Sequence, residues 1–241
     1  MKRWMQTLFL KPIRYAIDTY NLIEPGDRIL VGVSGGKDSS LLFFALGLLK
    51  KFNIYDFELT GYMVDHGMLE GIEPHQDFYK NMGLSIIVHE EPFVFLSNDV
   101  SPCYTCSRMR KGIMRKYALN NGYNKIAFGH TKDDVVETFM MNLIKQGRIA
   151  AIPPVVRDET SHLKIIRPLV FLDETSIVNA IHTLEVPIVA SKCEHAKTKI
   201  RERSEKMISI IEAEFPEYSS QVIKALSNID LERTLVKLEE Q

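Results

Sequence analysis

Three cysteines are the whole thiol content of this 241-residue chain, and two of them stand three residues apart. Cys103 and Cys106 lie in SPCYTCSRMRK, followed at once by Arg108, Arg110 and Lys111, while Cys193 stands far downstream in IVASKC. Spacing of this kind supports three chemistries. As zinc ligands the thiolates need a fourth donor, and His195 is near in sequence. As a redox pair, Cys103 and Cys106 carry a persulfide and resolve it as a disulfide, beside the cations Arg110 and Lys111, which suit a thiolate. As ligands of a [4Fe–4S] cluster, three cysteines leave one iron without a protein ligand. The residues leave all three open, and Cys193 is also readable as an unrelated buried thiol.

A second set of residues suits phosphate. In VGVSGGKDSS (31–40), Val33 leads into Ser34, Gly35, Gly36, Lys37, Asp38 and Ser39. The paired glycines let backbone N–H groups approach an anion, and a helix N-terminus beyond them adds partial positive charge. Lys37 supplies a full charge, and the Ser34 and Ser39 hydroxyls can hydrogen-bond phosphate oxygens. A Walker A loop is excluded, because Gly32 lies too close to Gly36 and Asp38, not Ser or Thr, follows the lysine. The plainer alternative is a tight strand-to-helix turn.

A third set is acidic. GHTKDDVVET (129–138) carries Gly129 and His130, then Asp133, Asp134 and Glu137, spaced so that the glutamate shares a helix face with one of the aspartates. Carboxylates at a helix N-terminus also satisfy the dipole alone. The functional reading gives them Mg²⁺ or a proton. MVDHGM (63–68) adds Val64, Asp65 and His66, a pair that is common in turns.

These residues need elements to hold them. Residues 3–22 read as an amphipathic helix ending before Pro25-Gly26. Strands are expected at 28–33, 57–64, 84–90, 124–130, 163–169 and 186–191. Helices are expected at 38–52 (capped by Asp or Ser), 75–83, 101–122, 132–147 and 173–184, with two more at the C-terminus. Short strands alternating with helices predict an α/β fold, a doubly wound, mostly parallel sheet with helices on both faces and helical additions at both ends. The division expected is an N-terminal helix (1–22), an ATP-binding domain (23–200) with the cysteine helix inserted, and C-terminal helices (201–241), all one structural unit. Every motif falls after a strand or in a crossover, where ligands of such sheets collect.

Composition bounds the rest. With 45% hydrophobic and 25% charged residues the chain reads as a water-soluble globular protein. Its longest apolar run, residues 41–49, is nine long, short of the roughly 20 needed to span a bilayer, so no membrane partner is expected. The N-terminus has no secretory h-region, and three cysteines do not make a disulfide framework; a cytoplasmic setting is expected. The net charge of −1 does not mark a nucleic-acid binder, but residues 108–116 carry five cations and no acid. An ordinary solvated helix face is the alternative there.

The loop SGGKDS after a strand resembles the pyrophosphate loop of the PP-loop ATPases, which share a Rossmann-like, adenine-nucleotide alpha-hydrolase-like fold. The family cleaves ATP to AMP and pyrophosphate to adenylate a carbonyl oxygen. GHTKDDVVET resembles a second signature of members acting on tRNA, and MVDHGM is similar to the loop beside the adenine. Lysidine synthetases lack CYTC; the tRNA 2-thiocytidine synthetase type has it, followed by basic residues, a later cysteine matching Cys193, and RPL (167–169). The family often has a second cysteine near the late one, and this chain does not.

The resemblance implies an enzyme, a tRNA sulfurtransferase. It would use ATP, Mg²⁺ and a [4Fe–4S] cluster on Cys103, Cys106 and Cys193 to place sulfur at C2 of a pyrimidine in the anticodon loop, through an adenylated base. Residues 33–39, 64–66, 129 and 130 would bind ATP. Lys37, Asp38, Asp133, Asp134, Arg110 and Lys111 would act in catalysis, the last two on the reacting oxygen or a tRNA phosphate. The sulfur donor would be a cysteine desulfurase or sulfide, and relatives suggest a homodimer. Two alternatives keep the ATP chemistry: the same reaction, or desulfuration, on a free base or small molecule, as the near-zero charge allows, and persulfide-based thiolation without a cluster. A third is a non-catalytic nucleotide- or redox-sensing module.

Overall fold

The computed structural model describes residues 2–92, 102–158, 161–192 and 199–233. The chain forms two compact units, Met1–Thr131 with Pro153–Thr198, and Lys132–Ile152 with Lys199–Gln241. The N-terminal helix belongs to the sheet unit because Phe9, Leu10, Ile13, Ala16 and Ile17 are at most 1% exposed. That helix runs as α1 (Arg3–Met5), a π-helical stretch (Gln6–Leu10) and α2 (Lys11–Tyr20), ending at Asn21 in left-handed conformation. The loosened turn comes just before Pro12, which has no N–H to donate back into it.

The sheet holds β1 (Asp27–Gly32), β2 (Phe57–Asp65), then, past a two-residue strand β3 (Leu69–Glu70), β4 (Ile86–Glu90), β5 (Lys125–Ala127), β6 (Val155–Arg157) and β7 (Lys164–Ile166). Their order is β4-β2-β1-β5-β7-β6, parallel throughout except for β6, which pairs antiparallel to β7 at the edge. Ile29, Leu30 and Val31 are all fully buried, the continuous apolar run of a strand covered on both faces. On one face lies α3 (Lys37–Lys51), whose Phe43 occupies the space left by Gly61; a Cβ there would stand 3.0 Å from the ring. On the other lies α5 (Pro102–Asn120), whose Met114 and Ala118 join Leu30, Tyr62, Val64, Ile126 and Leu163 in one buried cluster. Two further helices, α4 (Ile72–Lys80) and α7 (Glu174–Leu184), complete the unit, α7 against α3.

Five of the six expected strands form β1, β2, β4, β5 and β7. The run 186–191 does not join the sheet. Only β8 (Ala190–Ser191) is a strand, paired antiparallel with β3 in a separate ribbon. Val186 and Val189 of that run are buried while Ile188 is exposed, and the run is held by loop contacts: His75 Nδ1 lies 2.6 Å from Pro187 O, and Val189 N–H donates to Gly35 O at 3.0 Å. Helix α4 starts three residues earlier than expected, after Gly71 in left-handed conformation. Helix α3 is capped by Gly36 and not by an Asp or Ser side chain.

At the amino edge of the sheet, Lys125 is 1% exposed and its ammonium lies 2.6 Å from Asp27 and 2.9 Å from Glu24. Lys164 also reaches Glu24 at 3.0 Å, and Asn124 Nδ2 donates to Asp27 at 2.7 Å. A buried lysine is tolerated only because it is paired in this way. The network ties β1, β5 and β7 together.

The second unit is helical: α6 (Lys132–Gln146), α8 (Lys199–Glu214) and α9 (Tyr218–Leu226), with α6 packed on both others. Tyr218 Oη donates to Met140 Sδ at 2.7 Å, and Ser219 is bonded to Glu212. No helix among the described residues is long and apolar enough to cross a membrane.

Candidate active site

The strand order reverses between β1 and β5, and at such a switch point ligands collect outside the carboxyl ends of the strands. The loop after β1 is the SGGKDS stretch. Val33 is buried and its N–H donates to Tyr62 O at 2.9 Å, prolonging the pairing of β1 with β2. Gly35 then turns with φ +80°, which favours glycine, and Gly36 starts α3. The Ser34 and Ser39 hydroxyls share a 3.0 Å hydrogen bond, Ser34 N–H donates to Ser39 Oγ at 3.0 Å, and Ser39 Oγ donates to Gly36 O at 3.1 Å. These bonds curl the loop over the helix start, whose opening N–H groups have no acceptors inside the helix. The arrangement is a cradle for an oxyanion.

Lys37 stands over this start with its ammonium 3.2 Å from Asp38 and 3.0 Å from Glu174, the first residue of α7. Burial works against its charge, but the carboxylates of Glu174 and Asp38 outweigh that and raise its pKa above the ordinary lysine value. It is a cation held in readiness by two acids. Glu174 carried no signal in the sequence beyond its place in a first helical turn.

Two neighbours fix the loop. Gly129, after β5, sits so close to the first turn of α3 that a Cβ would stand 3.0 Å from Asp38 C and Ser39 N. The glycine of GHTKDDVVET is therefore a packing requirement of the phosphate loop. Gly35 is pressed by Val189, where a Cβ would lie 2.3 Å from the valine Cβ. The segment carrying Val189 continues into β8, and Lys192 N–H donates to Met68 O at 3.0 Å.

The loop after β2 is built by Asp65. Its Oδ1 accepts from the N–H groups of Gly67, Met68 and Leu69 at 2.9, 3.1 and 3.2 Å. His66 Nδ1 lies 2.6 Å from Glu91 O, and Val64 is part of the core beneath α5. His130 follows β5 with its ring edge-on to Phe128. Thus residues 33–39, 64–66, 129 and 130 all stand at the carboxyl edge of one sheet.

Cys103 and Cys106 occupy the first turns of α5, both half-buried and not joined in a disulfide. Three residues apart on a helix, they share one face. Further along α5, Lys111 is held below the ordinary lysine pKa, first by burial of its ammonium and then by the charges of Arg167 and Arg110. Arg167, just after β7, was not foreseen as a site residue, although it opens the RPL stretch. Cys193 and His195 lie outside the described residues, and no set of three metal-ligating side chains occurs among the described ones. Asp133 and Asp134 open the first turn of α6, in the second unit, with Glu137 one turn on.

Residues 9–203 match the family model described as the PP-loop domain. The tRNA-cytidine(32) 2-sulfurtransferase 1 of Francisella tularensis subsp. tularensis is 34% identical over 242 residues, covering 97% of this chain and 90% of its own. The tRNA-cytidine(32) 2-sulfurtransferase of Coxiella burnetii is 29% identical over 229 residues, covering 90% and 88%. Among solved structures, the U34-tRNA thiolase NcsA from Methanococcus maripaludis with its [4Fe-4S] cluster superposes with a TM-score of 0.73 at 22% identity, over 93% of this chain and 78% of that one. It shares the fold.

Proposed function

The chain belongs to the PP-loop domain family, in the branch of the tRNA-cytidine 2-sulfurtransferases, and from that premise we propose that it uses ATP to replace the C2 oxygen of a tRNA cytidine with sulfur. The observation that carries the proposal is the phosphate cradle of Ser34–Ser39 bonds on a helix start, with Lys37 poised beside it. ATP lies with its pyrophosphate end in that cradle. Lys37 exchanges Glu174 for phosphate oxygens and, with the first N–H groups of α3, stabilises the charge on departing pyrophosphate. The C2 oxygen of the base takes up the adenylyl group, and a sulfur nucleophile then displaces AMP. Arg110 or Lys111 polarises the reacting oxygen or grips a tRNA phosphate. Asp133 and Asp134 supply carboxylates for Mg²⁺. The target base lies in a loop, where it need not be pulled from a duplex.

The donor set fits a metal–sulfur group: two half-buried cysteines share a face of α5, and Lys192, anchored to Met68, precedes Cys193. Cys103, Cys106 and Cys193 would hold a [4Fe–4S] cluster. When bound, it supplies an iron that lacks a protein ligand, suited to carrying sulfur from a desulfurase or sulfide. The cations beyond Cys106 offset the negative charge of the thiolates.

The test joins two measurements on protein purified without oxygen. Iron and acid-labile sulfide are expected at about four each per chain and lost in Cys103→Ala. With ATP and sulfide, unmodified tRNA should gain 2-thiocytidine as AMP and pyrophosphate appear. Thiolation without bound iron, supported by a cysteine desulfurase but not by sulfide, would replace the cluster with a persulfide on Cys103 or Cys106, the desulfurase delivering the persulfide sulfur and the second thiol closing a disulfide as that sulfur leaves. AMP release driven by a free base, with tRNA untouched, would overturn the tRNA reading.

A further inference from the structure

Arg167 follows β7 directly and extends its pairing: its N–H donates to Pro154 O at 2.9 Å, continuing the ladder of β6 and β7. Leu163, just before β7, lies in the buried cluster beneath α5. Side chains two and four residues along a strand share a face, so Arg167 points to the α5 side as Leu163 does. Met114 of α5 reaches the carboxyl end of β1, 3.2 Å from where a Cβ on Gly32 would stand. Lys111 and Arg110 are one turn nearer the cysteine end of the helix, hence nearer the carboxyl edge. Helix and strand therefore bring Arg110, Lys111 and Arg167 to one end of the same face.

The three cations lack what such a group normally has. Among the described residues none of them meets a carboxylate, whereas Arg115 on the same helix pairs with Asp158 at 2.6 Å. One Arg167 nitrogen, Nη1, donates to Pro153 O at 2.7 Å, while its buried Nε has no hydrogen-bond partner. A buried guanidinium donor left unmatched is costly, and like charges brought together add to that cost. Burial lowers the Arg167 pKa, and the arginine still remains charged at neutral pH. An oxyanion with several acceptors, seated between strand and helix, would match all three.

We infer that Arg167, with Lys111 and Arg110, forms a second phosphate-binding site, separate from the Lys37 loop, at the carboxyl end of β7. Its ligand is a phosphate oxyanion with two available sources, a backbone phosphodiester of the RNA or the α-phosphate of the nucleotide. The RNA source rests on the proposed function; the site itself does not. A backbone phosphate gripped here would hold the substrate strand against the cysteine helix while the Lys37 loop holds pyrophosphate.

The experiment measures tRNA binding without nucleotide, over a salt series, and ATP binding without tRNA, for wild type, Arg167→Ala and Lys111→Ala. Thermal melts exclude misfolding; the Lys111 side chain is solvent-exposed even though its ammonium is crowded by neighbours, so its variant reports even if Arg167→Ala fails to fold. If the RNA supplies the phosphate, each variant weakens tRNA binding about tenfold or more and lowers the slope of log affinity against log salt by about one, with ATP binding unchanged. If the nucleotide supplies it, ATP binding falls and the tRNA salt slope stays. Folded variants with wild-type binding of both ligands overturn the site. Wild-type protein that binds no tRNA at all overturns the RNA substrate reading instead, and ATP binding alone then decides the site.

Discussion

Replacing Gly35 with alanine puts a methyl group where the structure has no room. The new Cβ would stand 2.3 Å from Val189 Cβ and 2.6 Å from its Cγ2, and the backbone there has φ +80°. Left-handed backbone costs a non-glycine residue about 1–2 kcal/mol, and forcing an extra carbon into packed space costs about 1–3 kcal/mol. Gly35→Ala should therefore lose about 2–5 kcal/mol in urea unfolding, with ATP affinity falling because the loop must retreat from Val189. The two terms separate in a double-mutant cycle. Val189→Gly removes the colliding carbons, so Gly35→Ala in that background should cost only the backbone part, about 1–2 kcal/mol. A single variant losing under about 0.5 kcal/mol, within the range of neutral surface changes, or a cycle with no coupling, would refute the contact as the reason for glycine.

Lys125→Met leaves Asp27 buried beside an apolar chain and should cost about 3–5 kcal/mol in urea unfolding; a second change, Asp27→Leu, should restore part of that loss. Glu24 is held at about 2, against an ordinary 4.5, first by its hydrogen bonds to Lys125 and Lys164. Its contribution is complete above the ordinary value and disappears as pH falls towards 2, so Glu24→Gln should flatten that stretch of the stability profile. His75 is pushed below the ordinary 6.5 chiefly by burial, with its bond to Pro187 opposing. The unfolded chain then binds the proton more readily, so stability should fall as pH drops through 6.5, and His75→Gln should lose that dependence in thermal melts.

The sheet was readable because its central strands are buried: ILV in β1 and the apolar run of β2 leave little choice of structure, and the half-buried edge strand β4 keeps an Ile-Ile-Val run. SGGKDS was readable because glycines and a lysine at a strand end suit few purposes. The segment 186–191 misled because VPIVA is equally apolar whether it pairs in a sheet or packs against a loop; Gly35 and His75, distant in sequence, decide the matter. The ribbon of β3 and β8, two residues on each side, is too short to have a period. Asp65 was expected as a site residue, and its Oδ1 holds the turn after β2. Arg167 and Glu174 were illegible as site residues, since each acts through a neighbour that only the fold supplies.

The ion network at the amino edge also orders events in time. Glu24 and Asp27 leave the ribosome 101 and 98 residues before Lys125, and Lys164 is 140 residues behind Glu24. Until the lysines arrive, the nascent half-sheet of β1, β2 and β4 carries two carboxylates that favour water at the start of its open β1 edge. A strand edge guarded by charge resists pairing with another chain. The acids that later lock the finished sheet thus also protect it, half made, from joining a stranger.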